Sequence, residues 1–128
     1  MRFKNWDIYS DKNSKALQAI NAFSGEVYRG LDYKSLNARE KEISNECVFI
    51  LSGLYGILKP LDLIQPYRLE MGTKLKVGRK ENLYKFWGTK VQENILKELK
   101  ANKSNLVVNL ASKEYFTVVG SLPTDVNV

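Results

Sequence analysis

Two short, mostly apolar runs stand out in a chain of otherwise mixed polarity. They occupy residues 47–51 and 106–110. A strand that is buried on both faces gives such a near-continuous run, whereas a half-exposed strand alternates between apolar and polar positions. The pattern therefore predicts two buried strands.

Helical periodicity marks the segments before the first of these strands. Apolar residues recur at helical spacing from Leu17 to Phe23, between the suitable N-caps Asn13 and Ser14 and the helix-stopping Gly25. A second helix, rich in charge, is predicted to open at residue 35 or 37 and to run to about residue 45. Because it has few apolar positions, this helix is expected to lie on the surface with most of its side chains facing solvent.

A longer helical pattern spans residues 82–100 and is divided by Gly88. Its length suits the crossover that joins two parallel strands. Ser112 is a suitable N-cap for a last helix, which runs through Tyr115 and Phe116 toward Gly120. These elements predict a single domain over residues 1–128, with a mixed α/β fold and a partly parallel sheet flanked by helices. Because a strand begins at residues 125–128 and nothing follows to cover it, we expect a fragment whose sheet is incomplete.

Composition narrows the chemistry that the chain can carry. The 128 residues contain one cysteine, Cys47, and no histidine. An internal disulfide is therefore excluded, as are the usual zinc and haem ligand sets and catalysis by Ser-His-Asp or Cys-His arrangements. We expect no metal site and no cofactor. Cys47 in an apolar strand is expected to be an inert core residue, and the alternative is a peroxide-sensing thiolate near cations.

Apolar stretches long enough for a membrane span or a signal peptide are absent from the sequence. No run of eighteen apolar residues occurs, and the first residues lack an apolar signal core. We therefore expect a cytoplasmic protein without membrane contact, and a monomer.

The net charge of +6 is concentrated in one stretch of the chain. Between residues 68 and 103, ten basic residues face only four acidic ones. A local positive potential attracts nucleic acid, anionic membrane or acidic metabolites. The alternative is a lysine-rich helix face that serves only solubility.

Polar side chains follow both predicted strands, where open α/β sheets bind ligands. The first loop offers Ser52, Gly53, Tyr55, Gly56 and Lys59, and the second offers Ser112, Lys113, Glu114 and Tyr115. The glycines would let a ligand approach the backbone, while the polar groups supply donors, cations, a carboxylate and a phenol. Simple turn and cap roles remain the alternative for Gly53, Gly56 and Ser112.

Arg68 and Glu70 stand two residues apart between these loops. They could form an ion pair, or Arg68 could clamp a phosphate. Phe86 and Trp87 in the basic helix could stack on bases, but their spacing with Leu83 favours a core role.

Four ordered blocks of this sequence resemble the YaaA family of bacterial peroxide-stress proteins. The central block covers residues 51–72, and the others cover residues 23–31, 83–88 and 109–116. The resemblance implies a cytoplasmic protein that limits intracellular iron and the oxidative damage caused by hydrogen peroxide. It also implies DNA binding in a positively charged cleft through a helix-hairpin-helix-like element, which we place on residues 52–63. Family members continue at both ends, so the chain resembles a central fragment.

Two functions remain open from the sequence, and a third, an iron-handling carboxylate site, is disfavoured because acidic residues are not clustered. The first is sequence-tolerant DNA binding in which phosphates contact basic and polar groups, namely Ser52, Gly53, Tyr55, Gly56, Lys59, Arg68, Lys74, Lys85, Ser112 and Lys113. The second is an enzyme for a small anionic metabolite, in which Arg68 and Lys113 hold the anion. The candidates for its acid or base are Glu70, Glu114 and Tyr115.

Overall fold

A computed structural model describes residues 16–128, in which short helices and two small sheets follow one another along the chain. The strands are β1 (Leu17–Gln18), β2 (Ile50–Ser52), β3 (Gly56–Leu58) and β4 (Leu63–Ile64). The helices are α1 (Ala19–Ala22), α2 (Glu26–Leu31), α3 (Ala38–Cys47), α4 (Leu83–Trp87), α5 (Lys90–Ala101) and α6 (Lys113–Phe116), with 3-10 turns at Tyr33–Ser35 and Thr117–Val119. The predicted mixed α/β class is confirmed.

Both sheets are two-stranded and antiparallel. β1 pairs with β4. β2 pairs with β3, and a loop of three residues connects these two strands. So short a connection excludes a parallel pair, which needs a crossover of about a dozen residues or more. The prediction of a partly parallel sheet is therefore wrong, because parallel pairing in residues 16–128 is limited to an isolated bridge between Leu106 and Asn127. Residues 107–110 belong to no strand, so α5 has no second strand to connect.

The chain divides into two compact units, which are described separately. Unit 1 takes in the described residues up to Ile50 and the segment Leu58–Arg68, and unit 2 takes in Leu51–Ile57 and Leu69–Val128. The hairpin of β2 and β3 contributes residues to both. The single domain over residues 1–128 stays a prediction.

Backbone pairing with a distant segment replaces most of the first predicted helix in unit 1. The N–H groups of Ala19 and Ile20 donate to the carbonyls of Asp62 and Pro60, at 2.8 and 2.9 Å. Leu17 and the next residue form β1 against β4, so only the four residues of α1 remain helical. The predicted caps at residues 13 and 14 lie outside the described residues.

Helix α3 begins where the sequence predicted. The Asn37 side chain accepts from the Glu40 N–H at 2.8 Å, and the Glu40 carboxylate accepts from the Asn37 N–H at 2.9 Å. This capping box satisfies two N–H groups that the first turn leaves without helical partners. The helix runs to Cys47, which is exposed at its end. The predictions that Cys47 lies in a strand and in the core are therefore wrong, since β2 begins only at Ile50.

Helices α4 and α5 each contribute a buried residue to the core of unit 2. Gly88 lies between them with a φ of +54°, which confirms the predicted break. Leu83 and Val91 are buried, together with the following members of the unit 2 core: Leu69, Met71, Val118 and Val119. α5 has 12 residues and a length of about 18 Å. None of the helices in residues 16–128 combines the length and the apolar character that a membrane crossing needs.

Candidate functional site

Helix α6 positions two of the predicted catalytic side chains in unit 2. Ser112 precedes the helix, and its hydroxyl accepts from the Tyr115 N–H, so the predicted cap is confirmed. Four residues form the helix and place Glu114 and Tyr115 in consecutive positions. The 3-10 turn that follows continues the chain to Gly120, whose φ is +73°.

Glu114 ties α6 to the segment that follows Met71. Its carboxylate oxygen Oε2 accepts from the Gly72 N–H at 2.8 Å, and its backbone carbonyl accepts from the Tyr84 hydroxyl at 2.8 Å. A Cβ on Gly72 would lie 3.0 Å from that carboxylate oxygen. The absence of a side chain at residue 72 therefore allows the close approach.

Tyr115 and Glu70 meet in the same unit. The Tyr115 hydroxyl donates to Glu70 Oε2 at 2.5 Å. All three catalytic candidates thus lie in what we call the carboxylate cluster, which consists of Glu70, Gly72, Tyr84, Glu114 and Tyr115. The carboxylate of Glu70 therefore accepts a hydrogen bond from the phenol of Tyr115.

The surroundings of Tyr84 favour the protonated form of its phenol. Burial raises the pKa of Tyr84, and the negative charge of Glu114 raises it further. Both effects disfavour the phenolate, so Tyr84 remains a hydrogen-bond donor throughout the neutral range. A raised pKa also means that this group favours the folded state at neutral pH and loses that contribution as pH rises through its folded-state pKa.

A cleft of about 370 Å³ opens beside α6 and is lined by Asn109, Lys113, Phe116, Thr117 and Gly120. This volume falls in the range of small-molecule sites, roughly 300–1,000 Å³. Lys113 is exposed, and it forms no ion pair with any residue in the range 16–128. The Thr117 hydroxyl donates to the Lys113 carbonyl at 2.6 Å, which fixes this side of the cleft.

The loop between β2 and β3 packs against other parts of unit 2 at both of its glycines. A Cβ on Gly53 would lie 2.6 Å from the Leu69 carbonyl oxygen, and one on Gly56 would lie 2.9 to 3.1 Å from the Trp87 ring. Trp87 also donates its indole N–H to the Gly53 carbonyl at 3.0 Å. Close packing is thus a reason for glycine at both positions, and Gly56 also has a φ of +82°, a backbone conformation that favours glycine.

Polar groups of this first loop have protein partners as well. Ser52 is fully buried, and its hydroxyl accepts from the Tyr55 N–H at 3.0 Å. Residues 52–63 contain the hairpin loop, β3 and the turn before β4, without a helix. Placing the helix-hairpin-helix-like element there is therefore wrong.

Cations predicted to contact phosphate occur in both units. In unit 1, the Lys59 ammonium lies 5.9 Å from the centre of the Phe49 ring, and Arg68 is exposed. In unit 2, Lys74 is exposed, and Lys85 pairs with Glu81 at 3.0 Å. The structure tests none of these as ligands, and all four stay predictions.

Basic side chains of unit 2 are uniformly exposed. We call them the basic set, and its members are Lys74, Lys76, Arg79, Lys80, Lys85, Lys90, Lys97, Lys100, Lys103 and Lys113. Within the described part of the chain, salt bridges involve only Lys85 of this set. Lys90 lies over the Phe86 ring at 5.9 Å, which leaves its charge available to a further partner.

Sequence reasoning missed Gly72 and Tyr84, which bind Glu114 from two sides. Both lie in blocks that carried the family resemblance, so those blocks held the signal that could have found them. The cleft-lining residues Phe116 and Thr117 were likewise not predicted.

Comparison with known proteins places this chain in one family. The family model described as "Peroxide stress protein YaaA" matches residues 1–127. A UPF0246 protein of Aliivibrio fischeri (strain MJ11) is 51% identical over 120 residues, which are 93% of this chain and 46% of the relative. A UPF0246 protein of Polynucleobacter necessarius is 49% identical over 119 residues, which are 92% of this chain and 45% of the relative. This chain therefore spans less than half the length of these curated relatives. It belongs to the family of peroxide stress protein YaaA.

Proposed function

We propose that the protein acts in the cytoplasmic response to hydrogen peroxide by binding DNA through the basic set, without sequence preference. The observation that carries the proposal is the exposure of all ten cations of that set in a unit that holds only six acidic residues. Lysine and arginine that contact phosphates release counterions, which supplies sequence-independent affinity. The family membership supplies the physiological setting.

The proposed contacts are with the DNA backbone rather than with base edges. Phosphate contacts position a protein on a duplex and carry no sequence information. Most of the basic set consists of lysine, which acts as a flexible point charge and does not require a fixed fork geometry. The Ser112 hydroxyl, which precedes Lys113 of the basic set, could add a contact at the start of α6.

Limitation of iron damage is proposed as a consequence of this binding. Iron that reacts with peroxide close to DNA produces short-lived oxidants, and a protein that covers the backbone keeps both iron and oxidant away from it. Under this proposal the protein acts as a monomer and needs no cofactor.

The DNA affinity of a triple variant, Lys90→Gln, Lys97→Gln and Lys100→Gln, tests the role of the basic set. Affinity for a duplex is measured by fluorescence anisotropy across a salt series. We expect log affinity to fall linearly with log salt, and each lost phosphate contact to reduce the steepness by about 0.9. Weaker binding by the triple variant at every salt concentration is the expected result.

A matched variant controls for net charge alone. Arg29→Gln, Lys34→Gln and Arg39→Gln remove three exposed cations from unit 1. We expect a much smaller loss for this variant. Equal losses would show that only total charge matters, and no binding at low salt by a folded sample would reject the proposal for this chain.

A second candidate function is an enzyme that acts on a small anionic metabolite. The observation that favours it is the meeting of Glu70, Glu114 and Tyr115 in the carboxylate cluster, next along the chain to Lys113 in the cleft. Lys113 would hold the anion, and a carboxylate or phenol of the cluster would transfer a proton. Arg68 belongs to unit 1 and stays a prediction as an anion ligand.

Titration with inorganic phosphate tests this cleft. We expect amide NMR shifts at Asn109, Lys113 and Gly120 that saturate with phosphate, and Lys113→Gln should abolish them. Lys97→Gln, which removes an exposed cation of α5, is the control and should leave them unchanged. Shifts spread evenly over the exposed lysines would count against a site in the cleft.

A further inference from the structure

Unit 2 has four large apolar residues that are more than half exposed, of which three lie in residues 106–110 and one is residue 128. Leu106 is 59% exposed, Val108 is 70% exposed, Leu110 is 67% exposed and Val128 is 66% exposed. We call these four residues the apolar edge. Single exposed apolar residues are common, but soluble proteins seldom leave contiguous apolar surface without a partner.

Spacing within the apolar edge is that of a strand. Leu106, Val108 and Leu110 alternate with Val107, which is half-buried, and Asn109, which lines the cleft. Successive side chains of an extended chain point to opposite faces, so a period of two gathers the three exposed residues on one face. The sequence pattern predicted a strand buried on both faces, which is wrong, because residues 107–110 form no strand and Leu106, Val108 and Leu110 are exposed.

Backbone pairing beside the apolar edge has begun and then stops. The Val107 N–H donates to the Asn127 carbonyl, and the Asn127 N–H donates to the Asn105 carbonyl, both at 2.7 Å. These bonds form the isolated parallel bridge. Among the described residues, the backbone groups of Val108 and Leu110 have no backbone partner. Unpaired strand groups next to apolar side chains are a template for an added strand.

The relatives indicate what occupies this template. More than half of the Aliivibrio fischeri relative lies outside the part that this chain matches. We propose that the apolar edge binds an apolar strand from the polypeptide that makes up the rest of the family fold. That strand pairs with the open backbone groups of residues 108–110 and covers the exposed side chains.

A second copy of this chain fits the apolar edge less well. Unit 2 carries ten basic residues against six acidic ones, so two copies would bring like charges together.

Mixing this chain with a piece of the relative tests the proposal. The probe is a polypeptide taken from the part of the Aliivibrio fischeri relative that lies outside the matched 120 residues. Isothermal titration calorimetry and analytical ultracentrifugation should show a one-to-one complex. We expect Val108→Asp to weaken the complex at least tenfold, because a buried strand face excludes a charge.

Leu63→Asp is the matched control, since Leu63 in β4 of unit 1 is also 70% exposed. We expect it to leave the affinity unchanged, and circular dichroism should show that both variants keep the fold of the parent chain. A folded parent chain that does not bind the segment would overturn the proposal. Self-association that Val108→Asp abolishes would also overturn it in favour of a second copy, and equal weakening by both variants would remove the apolar edge as the binding surface.

Discussion

Replacement of Met71 by alanine is expected to lower the free energy of unfolding by about 3 kcal/mol. Met71 is fully buried in unit 2, where it is the largest side chain of that kind in the described part of the protein. Its loss removes apolar contacts and leaves a cavity that the surrounding chain fills only in part. Because small domains are stable by only about 5–15 kcal/mol, the effect should be plain in urea unfolding followed by circular dichroism.

Met71→Leu separates the loss of volume from the loss of the residue type. Leucine nearly conserves the volume, so we expect a cost below about 1.5 kcal/mol. If alanine and leucine cost the same, then the sulfur or the flexibility of methionine matters rather than the filled space. If alanine costs less than about 0.5 kcal/mol, Met71 does not lie in a packed core.

The same substitution should reach the carboxylate cluster. Met71 precedes Gly72, whose N–H binds Glu114 at 2.8 Å. A cavity at residue 71 allows this segment to shift, so the hydrogen bond to Glu114 should weaken along with the core. The geometry of the candidate site is therefore expected to depend on the packing of the unit 2 core.

Elements with a local cause could be predicted from the sequence. Asn37 caps α3, Gly88 separates α4 from α5, and Ser112 caps α6, each as expected. A cap or a left-handed glycine is decided by a few neighbouring residues. Such features are readable from sequence because no distant segment competes with them.

Elements that depend on distant partners could not be predicted in this way. Leu17 shows helical spacing, yet it pairs with Ile64 because a strand partner outweighs local propensity. Cys47 was assigned to an apolar run, although it ends α3. A short apolar run does not distinguish a buried strand from the end of a helix, and residues 106–110 show that it does not ensure burial either.

The candidate site was predicted in its residue types but not in its arrangement. Glu114 and Tyr115 are candidates because they follow a predicted strand, and Glu70 is a candidate because it stands beside Arg68 between the two loops. The structure brings the three into one cluster. The contact between Glu70 and Tyr115 joins residues 45 positions apart. Periodicity carries no information about such a pairing.

Two glycine-to-alanine substitutions, Gly53→Ala and Gly30→Ala, should change the stability of the protein in opposite directions. Gly53→Ala is expected to cost about 2–3 kcal/mol, because its Cβ would lie 2.6 Å from the Leu69 carbonyl oxygen and 3.2 Å from the Glu70 carbonyl carbon. Both contacts are with backbone, which cannot turn aside as a side chain can. Gly30 lies inside α2 with nothing within 4 Å of its Cβ position, so Gly30→Ala should stabilise by about 0.5–1 kcal/mol through helix propensity.

Thermal unfolding of both variants and DNA affinity at low salt distinguish packing from ligand binding at the loop between β2 and β3. A lower melting temperature for Gly53→Ala and a higher one for Gly30→Ala would support the packing role. If Gly53→Ala instead keeps its melting temperature and loses DNA affinity, the loop approaches phosphate directly, and its contacts with Leu69 and Trp87 are secondary. A loss of stability would therefore show that the fold itself requires glycine at residue 53, whereas a loss of DNA affinity alone would show that a bound partner requires it.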